Sequence, residues 1–188
     1  MDKLFLTALL MGMSVSGIHA QNATIEPTFT EWHDLQVNAV NRFATHTDFF
    51  AFAPFENLRG TKFDMKKSAN YLSLDGDWKF NWVENADQRP TDFFRTDFDD
   101  SQWKTFPVPG IWEVNGYGDP VYVNIGFAWR GNFKNNPPEV PIKENHVDSY
   151  RRTIRIPDNW DGKQVIAHFG SVTSCVYLWV NGKFVGYS

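Results

Sequence analysis

Residues 176–187 read as an apolar run, Val176 to Val180, then Asn181-Gly182, then a second run, Lys183 to Tyr187. Asn-Gly between two such runs is the strongest short signal for a two-residue hairpin, because both turn positions need a positive φ. This stretch is therefore committed to antiparallel sheet. Tyr177 and Trp179 oppose Val176, Leu178 and Val180 in parity, so the first strand is expected to be buried on both faces. A period of two recurs at Trp78, Phe80 and Trp82, which alternate with Lys79 and Asn81 after an Asp75-Gly76 turn. Further on, Tyr150, Arg152, Ile154 and Ile156 share one face, opposite Ser149, Arg151, Thr153 and Arg155. Val165, Ala167 and Phe169 share a face in the next run. Loops are marked by Pro107, Pro109, Gly110, Gly116, Gly118 and Pro120. With 17 Phe, 8 Trp and 6 Tyr in 188 residues, the chain has ample ring surface for a large core.

The pattern predicts an all-β domain over residues 70–188, a β-sandwich of jelly-roll type. Ser188 directly follows a returning strand, which would leave an edge unpaired. The sandwich is therefore expected to be incomplete near its C-terminal end, with a natural chain that continues.

The first 69 residues differ. Lys3 precedes an apolar run, Leu4 to Gly17, and Ile18-His19-Ala20 supplies a small residue before polar Gln21-Asn22. Residues 1–20 thus read as a secretory signal peptide, too short in its apolar part to span a membrane. The mature protein is expected to be periplasmic or secreted, with no membrane partner. Asn22-Ala23-Thr24 matches a glycosylation acceptor, which matters only in a host that glycosylates. Residues 21–69 show no clean strand pattern and read as an extended arm, with an aromatic run at Phe49, Phe50, Phe52 and Phe55. Rings of this kind gain about 1.5–3 kcal/mol each on burial, so the arm is expected to lie against its own sandwich.

Several function classes find no support. A net charge of −4 without a basic stripe argues against nucleic acid. Nucleophile elbow, phosphate-cradling glycine loop and helical zinc motif are all missing from the sequence. The five histidines are scattered, and His168, beside Phe169, reads as a structural residue of a strand. Asp75, Asp77, Asp97, Asp99 and Asp100 lie in turn-like sequence, where aspartate bonds its own backbone. Cys175 is the only cysteine, so no internal disulfide can form, and its apolar surroundings predict a buried, inert thiol. On the residues alone, a stand-alone carbohydrate-binding module fits as well as part of an enzyme.

Four blocks in order carry a resemblance: EWHDLQVNAVNR (Glu31 to Arg42), YLSLDGDWKFNW (Tyr71 to Trp82), FPVPGIWEVNGYGDPVYVN (Phe106 to Asn124), and the stretch from DSYRRTIRIPDNW through SVTSCVYLWVNGKFVGYS (Asp148 to Ser188). Together they resemble the start of family 2 glycoside hydrolases of the large β-galactosidase type. Gly110 stands where the pattern expects Ser, and Cys175 where it expects a small residue. The resemblance implies a jelly-roll sugar-binding domain ahead of immunoglobulin-like domains and a catalytic TIM barrel. It implies a retaining exo-hydrolase of terminal β-D-galactosides that uses two glutamates. Those glutamates would lie beyond residue 188, so the chain by itself is expected to be inactive. Mg²⁺ and Na⁺ are implied for the whole enzyme, with ligands mostly downstream. A β-glucuronidase or β-mannosidase of the same family is the alternative within the resemblance. Asn124 matches the asparagine that reaches from the jelly roll into the galactose pocket, and its amide both donates and accepts, as sugar hydroxyls require. Tyr122 and Trp129 fit either a pocket rim or the core. The expected partners are a β-galactoside, the remaining domains of the same chain, and a homo-oligomer in which the arm packs across subunits.

Overall fold

The computed structural model describes residues 26–47, 49–120, 129 and 139–188. The proposed signal peptide, Asn22, Tyr122 and Asn124 lie outside the described residues.

The chain is an all-β sandwich of jelly-roll type. Among the described residues it has five strands: β1 (Gly76–Val83), β2 (Lys104–Val108), β3 (Val147–Arg151), β4 (Tyr177–Val180) and β5 (Lys183–Tyr187). The helical elements described are single 3₁₀ turns. The strands form two antiparallel sheets, in the orders β2-β1-β3 and β4-β5.

The alternation read from the sequence sets the register of the first sheet. Trp78 lies opposite Phe106, while Phe80 lies opposite Tyr150 and Trp82 opposite Asp148. One face is therefore almost wholly aromatic. At its centre Phe80 and Phe106, each 1% exposed, stack with ring centroids 4.5 Å apart. Tyr117 closes on Phe80 edge-on at 4.7 Å, and Tyr150 lies 5.1 Å away. At the near end the Arg152 guanidinium sits over Trp78 and donates to the carbonyls of Leu74 and Asp75 at 2.6 and 2.9 Å. The opposite face is polar. There Arg151 pairs with Asp100 at 3.3 Å, lies over the Phe98 ring and donates to the Phe98 carbonyl.

The hairpin forms as expected. Asn181 and Gly182 both have positive φ, 51° and 78°, and Val180 pairs directly with Lys183. The register shifts between Leu178 and Trp179, because Leu178 faces Gly186 while Trp179 faces Phe184. Val185 is thus the extra residue of a bulge. Trp179 joins this sheet to the loop after β1, stacking on Phe94 at 5.1 Å and meeting Phe93 edge-on at 5.4 Å.

The arm packs on the hairpin. Val40 exchanges backbone hydrogen bonds with Tyr187, at 2.9 and 3.0 Å. The Asn41 amide donates to the Val185 carbonyl at 2.7 Å, and Phe29 stacks near Tyr177 and Trp179. The arm's polar anchor is Glu31, 7% exposed, which accepts from the Thr28 N–H at 2.7 Å and from the Tyr177 hydroxyl at 2.9 Å. Burial works against its charge, but the bonds from Thr28 and Tyr177 outweigh it and hold the carboxyl below its usual range. Burial and the same carboxylate push the Tyr177 hydroxyl up. Farther along, Glu56 accepts from Ala53, Ser68 and Ala69 and folds residues 53–69 into a local unit. Phe49 and Phe55 remain 78% and 80% exposed, so the aromatic run is only partly covered.

Four expectations need correction. β3 ends at Arg151, since Arg152 turns to the Leu74 and Asp75 carbonyls instead of extending the ladder. Ile154 and Ile156 are left exposed. Val165 and Phe169 are likewise exposed and in no strand, as is His168. Alternation gives a run two faces but no ladder partner, and among the described residues none lies alongside. The β4 strand is half-buried rather than buried on both sides, with Val180 52% exposed. Cys175 is exposed as a residue. Desolvation around its thiol nonetheless pushes the pKa up. Of the aspartate turns, Asp99 holds as read, accepting from the Ser101 N–H at 2.9 Å, whereas the carboxylates of Asp75, Asp97 and Asp100 reach Lys66, Arg95 and Arg151 instead.

Phe80→Ala is expected to lower the unfolding free energy by about 3–5 kcal/mol in urea denaturation, because it empties the centre of the aromatic face. Gly186→Ala is expected to free the arm. A Cβ there would stand 2.5 Å from the Val40 carbonyl oxygen, and limited proteolysis would read the release as new cleavage near residues 40–47.

Candidate functional site

The loop between β2 and the segment that carries Asn124 returns over the aromatic face. It turns through a 3₁₀ turn, Glu113–Asn115, closed by Gly116 at φ 85°. Its two inward rings are Trp112 and Tyr117, both half-buried, while Ile111 and Val114 face solvent. The Trp112 indole donates to the Tyr150 hydroxyl at 3.0 Å. On the far side His146, just before β3, packs on Trp82 with centroids 4.8 Å apart, and Tyr117 tilts against the same indole at 6.1 Å.

Asp148 sits in the middle of this group. Period-two parity puts it on the same face of β3 as Tyr150, directly across the ladder from Trp82. Its Oδ2 and the Trp82 indole Nε1 are both closed from solvent and bond to nothing among the described residues. Desolvation raises the carboxyl pKa to about 6; hydrogen bonds from Tyr150 and Trp112 only partly offset that. Burial and the neighbouring carboxylate in turn push the Tyr150 hydroxyl up. The arrangement places one acid, two indoles, two phenols and an imidazole at one end of a sheet. It offers stacking faces together with donors and an acceptor, the means by which proteins hold hydroxylated ligands.

Of the sequence candidates, Asn124 and Tyr122 fall outside the described residues. Trp129 is half-buried, and its indole donates to the Glu144 carbonyl at 2.8 Å. The structure therefore gives Trp129 a loop-pinning contact. Reasoning from the sequence passed over Asp148. The signal was available in parity, because an aspartate two residues before Tyr150 on a ring-lined face is out of place. Among the described residues no group of three or more His, Cys, Asp or Glu side chains converges where a metal ion could be held.

Residues 71–188 match the family model for glycosyl hydrolases family 2, sugar binding domain. Curated relatives share the sequence over most of its length. A β-galactosidase of Priestia megaterium is 36% identical over 161 residues, covering 85% of this chain and 15% of the relative. One from Lactobacillus delbrueckii subsp. bulgaricus is 38% identical over 154 residues, with 82% and 15% covered. The β-galactosidase large subunit of Leuconostoc lactis is 32% identical over 168 residues, with 82% and 26% covered. The chain thus spans between about a seventh and a quarter of the length of these relatives.

Asp148→Asn tests the electrostatics. A carboxyl whose pKa rises from 3.8 to about 6 on folding loses stability as pH climbs between those values and carries the full cost above them. The cost is about 3 kcal/mol from the size of the shift. In thermal melts, the Asn variant is expected to be more stable than the parent at pH 7 and to lose that advantage near pH 4.

Proposed function

The chain belongs to glycosyl hydrolases family 2 through that family's sugar-binding domain, and from this premise we propose that it is the N-terminal sugar-binding part of an exported, retaining exo-β-galactosidase. The observation that carries the reading is the family match over residues 71–188, together with relatives named β-galactosidase at 30–38% identity. A short apolar leader in residues 1–20 supports export.

In this reading the jelly roll binds and orients a terminal β-D-galactoside, and a separate part of the parent protein cleaves it. Asn124 follows the Pro- and Gly-rich loop anchored by Trp112 and Tyr117. From there its amide would donate to one sugar hydroxyl and accept from another. Orienting the sugar ring fixes the position of its anomeric carbon, and positioning of this kind can lower a barrier without any chemistry of its own. Two glutamates beyond residue 188 would act as acid/base and as nucleophile in double displacement. The 188-residue chain by itself would then hydrolyse nothing. Mg²⁺ and Na⁺ serving the parent enzyme would take ligands that lie mostly downstream of this segment. The arm's exposed Phe49 and Phe55 would suit contact with a second subunit or with other domains of the parent chain.

In the parent enzyme, Asn124→Ala is expected to reduce kcat/KM for an aryl β-galactoside by roughly 10–100-fold, the loss of one or two hydrogen bonds to the sugar. The melting temperature should stay where it is. An unchanged kcat/KM would remove Asn124 from the site, and equal activity on a β-glucuronide or β-mannoside would reassign the substrate.

A further inference from the structure

We propose that the turn over residues 57–67 is a docking surface for an anionic glycan, a polysaccharide strand that carries carboxylates or sulfates. Arg59, Lys62, Lys66 and Lys67 follow one another closely in a chain whose net charge is −4. The backbone folds them into one compact knob. Thr61, Lys62, Phe63 and Asp64 donate their N–H groups to the carbonyls of Asn57, Arg59, Leu58 and Thr61, and Lys67 donates to Asp64. The base of the knob is fixed to the domain, because the Trp160 indole donates to the Ala69 carbonyl at 2.7 Å and Lys163 to the Asn70 side chain at 3.0 Å. Two acids lie in the same stretch, and both are committed to it. Glu56 accepts from Ala53, Ser68 and Ala69, and Asp64 accepts from the Lys66 N–H at 3.1 Å. The four cations face solvent. Lys66 stands 3.9 Å from Asp75, and among the described residues Arg59, Lys62 and Lys67 pair with no acid.

The knob also presents apolar surface among its charges. Phe63 is 68% exposed, with Leu58 and Met65 exposed beside it in sequence. Lys62 and Phe63 both hold left-handed backbone, at φ 56° and 61°. That conformation is costly for residues of this bulk, and strain of this kind gathers where proteins clamp ligands. An anionic glycan is the polyanion that such a surface fits. Arg59 can grip a carboxylate or sulfate with two parallel N–H donors, the lysines act as point charges, and the Phe63 ring can cover a sugar face. A single strand is narrow enough to touch the knob alone. A nucleic-acid duplex or an anionic bilayer is broad, and would bring its charge against the rest of this acidic chain within the ~10 Å over which charges act at 0.1 M salt. In the parent enzyme the surface would favour galactosyl ends carried on an acidic main chain over the same ends on a neutral one, by raising their local concentration. That consequence rests on the function proposed above, whereas the docking surface does not.

Binding of the full parent protein to immobilised polygalacturonate, dextran sulfate and plain dextran, followed by biolayer interferometry, tests it. The protein should bind a charged polymer and not plain dextran, and the better of the two charged polymers tells carboxylate from sulfate. Affinity should fall about tenfold between about 50 and 200 mM salt, as two or three counterions are released. The combined variant Arg59→Gln, Lys62→Asn, Lys67→Gln should bind at least about tenfold more weakly, with a flatter salt dependence. Phe63→Asn removes the ring but tolerates the left-handed backbone, and should weaken binding about three- to tenfold with the salt dependence unchanged. Hydrolysis of an aryl β-galactoside should be the same in all these proteins. A parent protein that binds the charged glycan but hydrolyses no galactoside would sink the function proposed above and leave the docking surface standing. Failure to bind either charged polymer overturns the surface, as does undiminished affinity in the combined variant. Equally tight binding to duplex DNA or to phosphatidylglycerol vesicles overturns the glycan assignment. If the combined variant does not fold, Lys67→Gln alone decides, and unchanged affinity in that variant overturns the proposal.

Discussion

The stacked pair of Phe80 and Phe106 fixes the rest of this domain. These rings come from adjacent antiparallel strands, and both are essentially without solvent contact. Sheet parity then leaves no freedom: with Phe80 inward, Trp78, Trp82, Tyr150 and Asp148 must face the same way. A slip of one residue would turn Lys79, Asn81 and Arg151 into the core. The Tyr117 ring closes the stack from above, so the loop that leads toward Asn124 is located by the same rings that hold the sheet together. Core and candidate binding edge are thus one packing unit.

The second sheet is organised differently. A two-stranded hairpin is marginal alone, and here the arm supplements it. Val40 adds a bridge to Tyr187, and the bulge at Val185 frees a carbonyl that the Asn41 side chain takes up. Gly186 lets the arm backbone come close enough for this to occur. Glu31 then fastens the arm to Tyr177 with a charge that is buried but fully bonded, the condition under which a buried carboxylate is tolerated. Aromatic contacts from Phe93 and Phe94 to Trp179 tie this sheet to the loop after β1.

Asp148 contrasts with Glu31. Both are acids enclosed by aromatic residues, yet the carboxyl of one is held below its usual range while burial pushes that of the other up to about 6. The difference lies in donors. Glu31 receives a backbone N–H and a phenol, whereas Asp148 keeps an oxygen with no partner among the described residues. A domain optimised for stability alone would place an apolar residue opposite Trp82. Local departures from that rule gather where proteins bind ligands or respond to conditions.

Much of this was legible in the residues. Alternation at Trp78, Phe80 and Trp82 and the Asn181-Gly182 turn are local signals, so the sequence by itself determined the sheet faces, the hairpin and the all-β class. The four sequence blocks likewise pointed to the family that the match over residues 71–188 shows. Strand formation at Val165 to Phe169 was not decidable that way, because parity describes one strand and pairing needs two. The exposure of Cys175 and Val180 depended on what covers them, which no window of sequence contains. The same holds for the Asp148 cluster: its members come from β1, β3 and a loop some 36 positions upstream of Asp148, estimated on the chain numbering. Only the tertiary structure decided that Trp112, Trp82 and Asp148 meet, since desolvation is a property of what surrounds a carboxyl and not of the residues next to it in the chain.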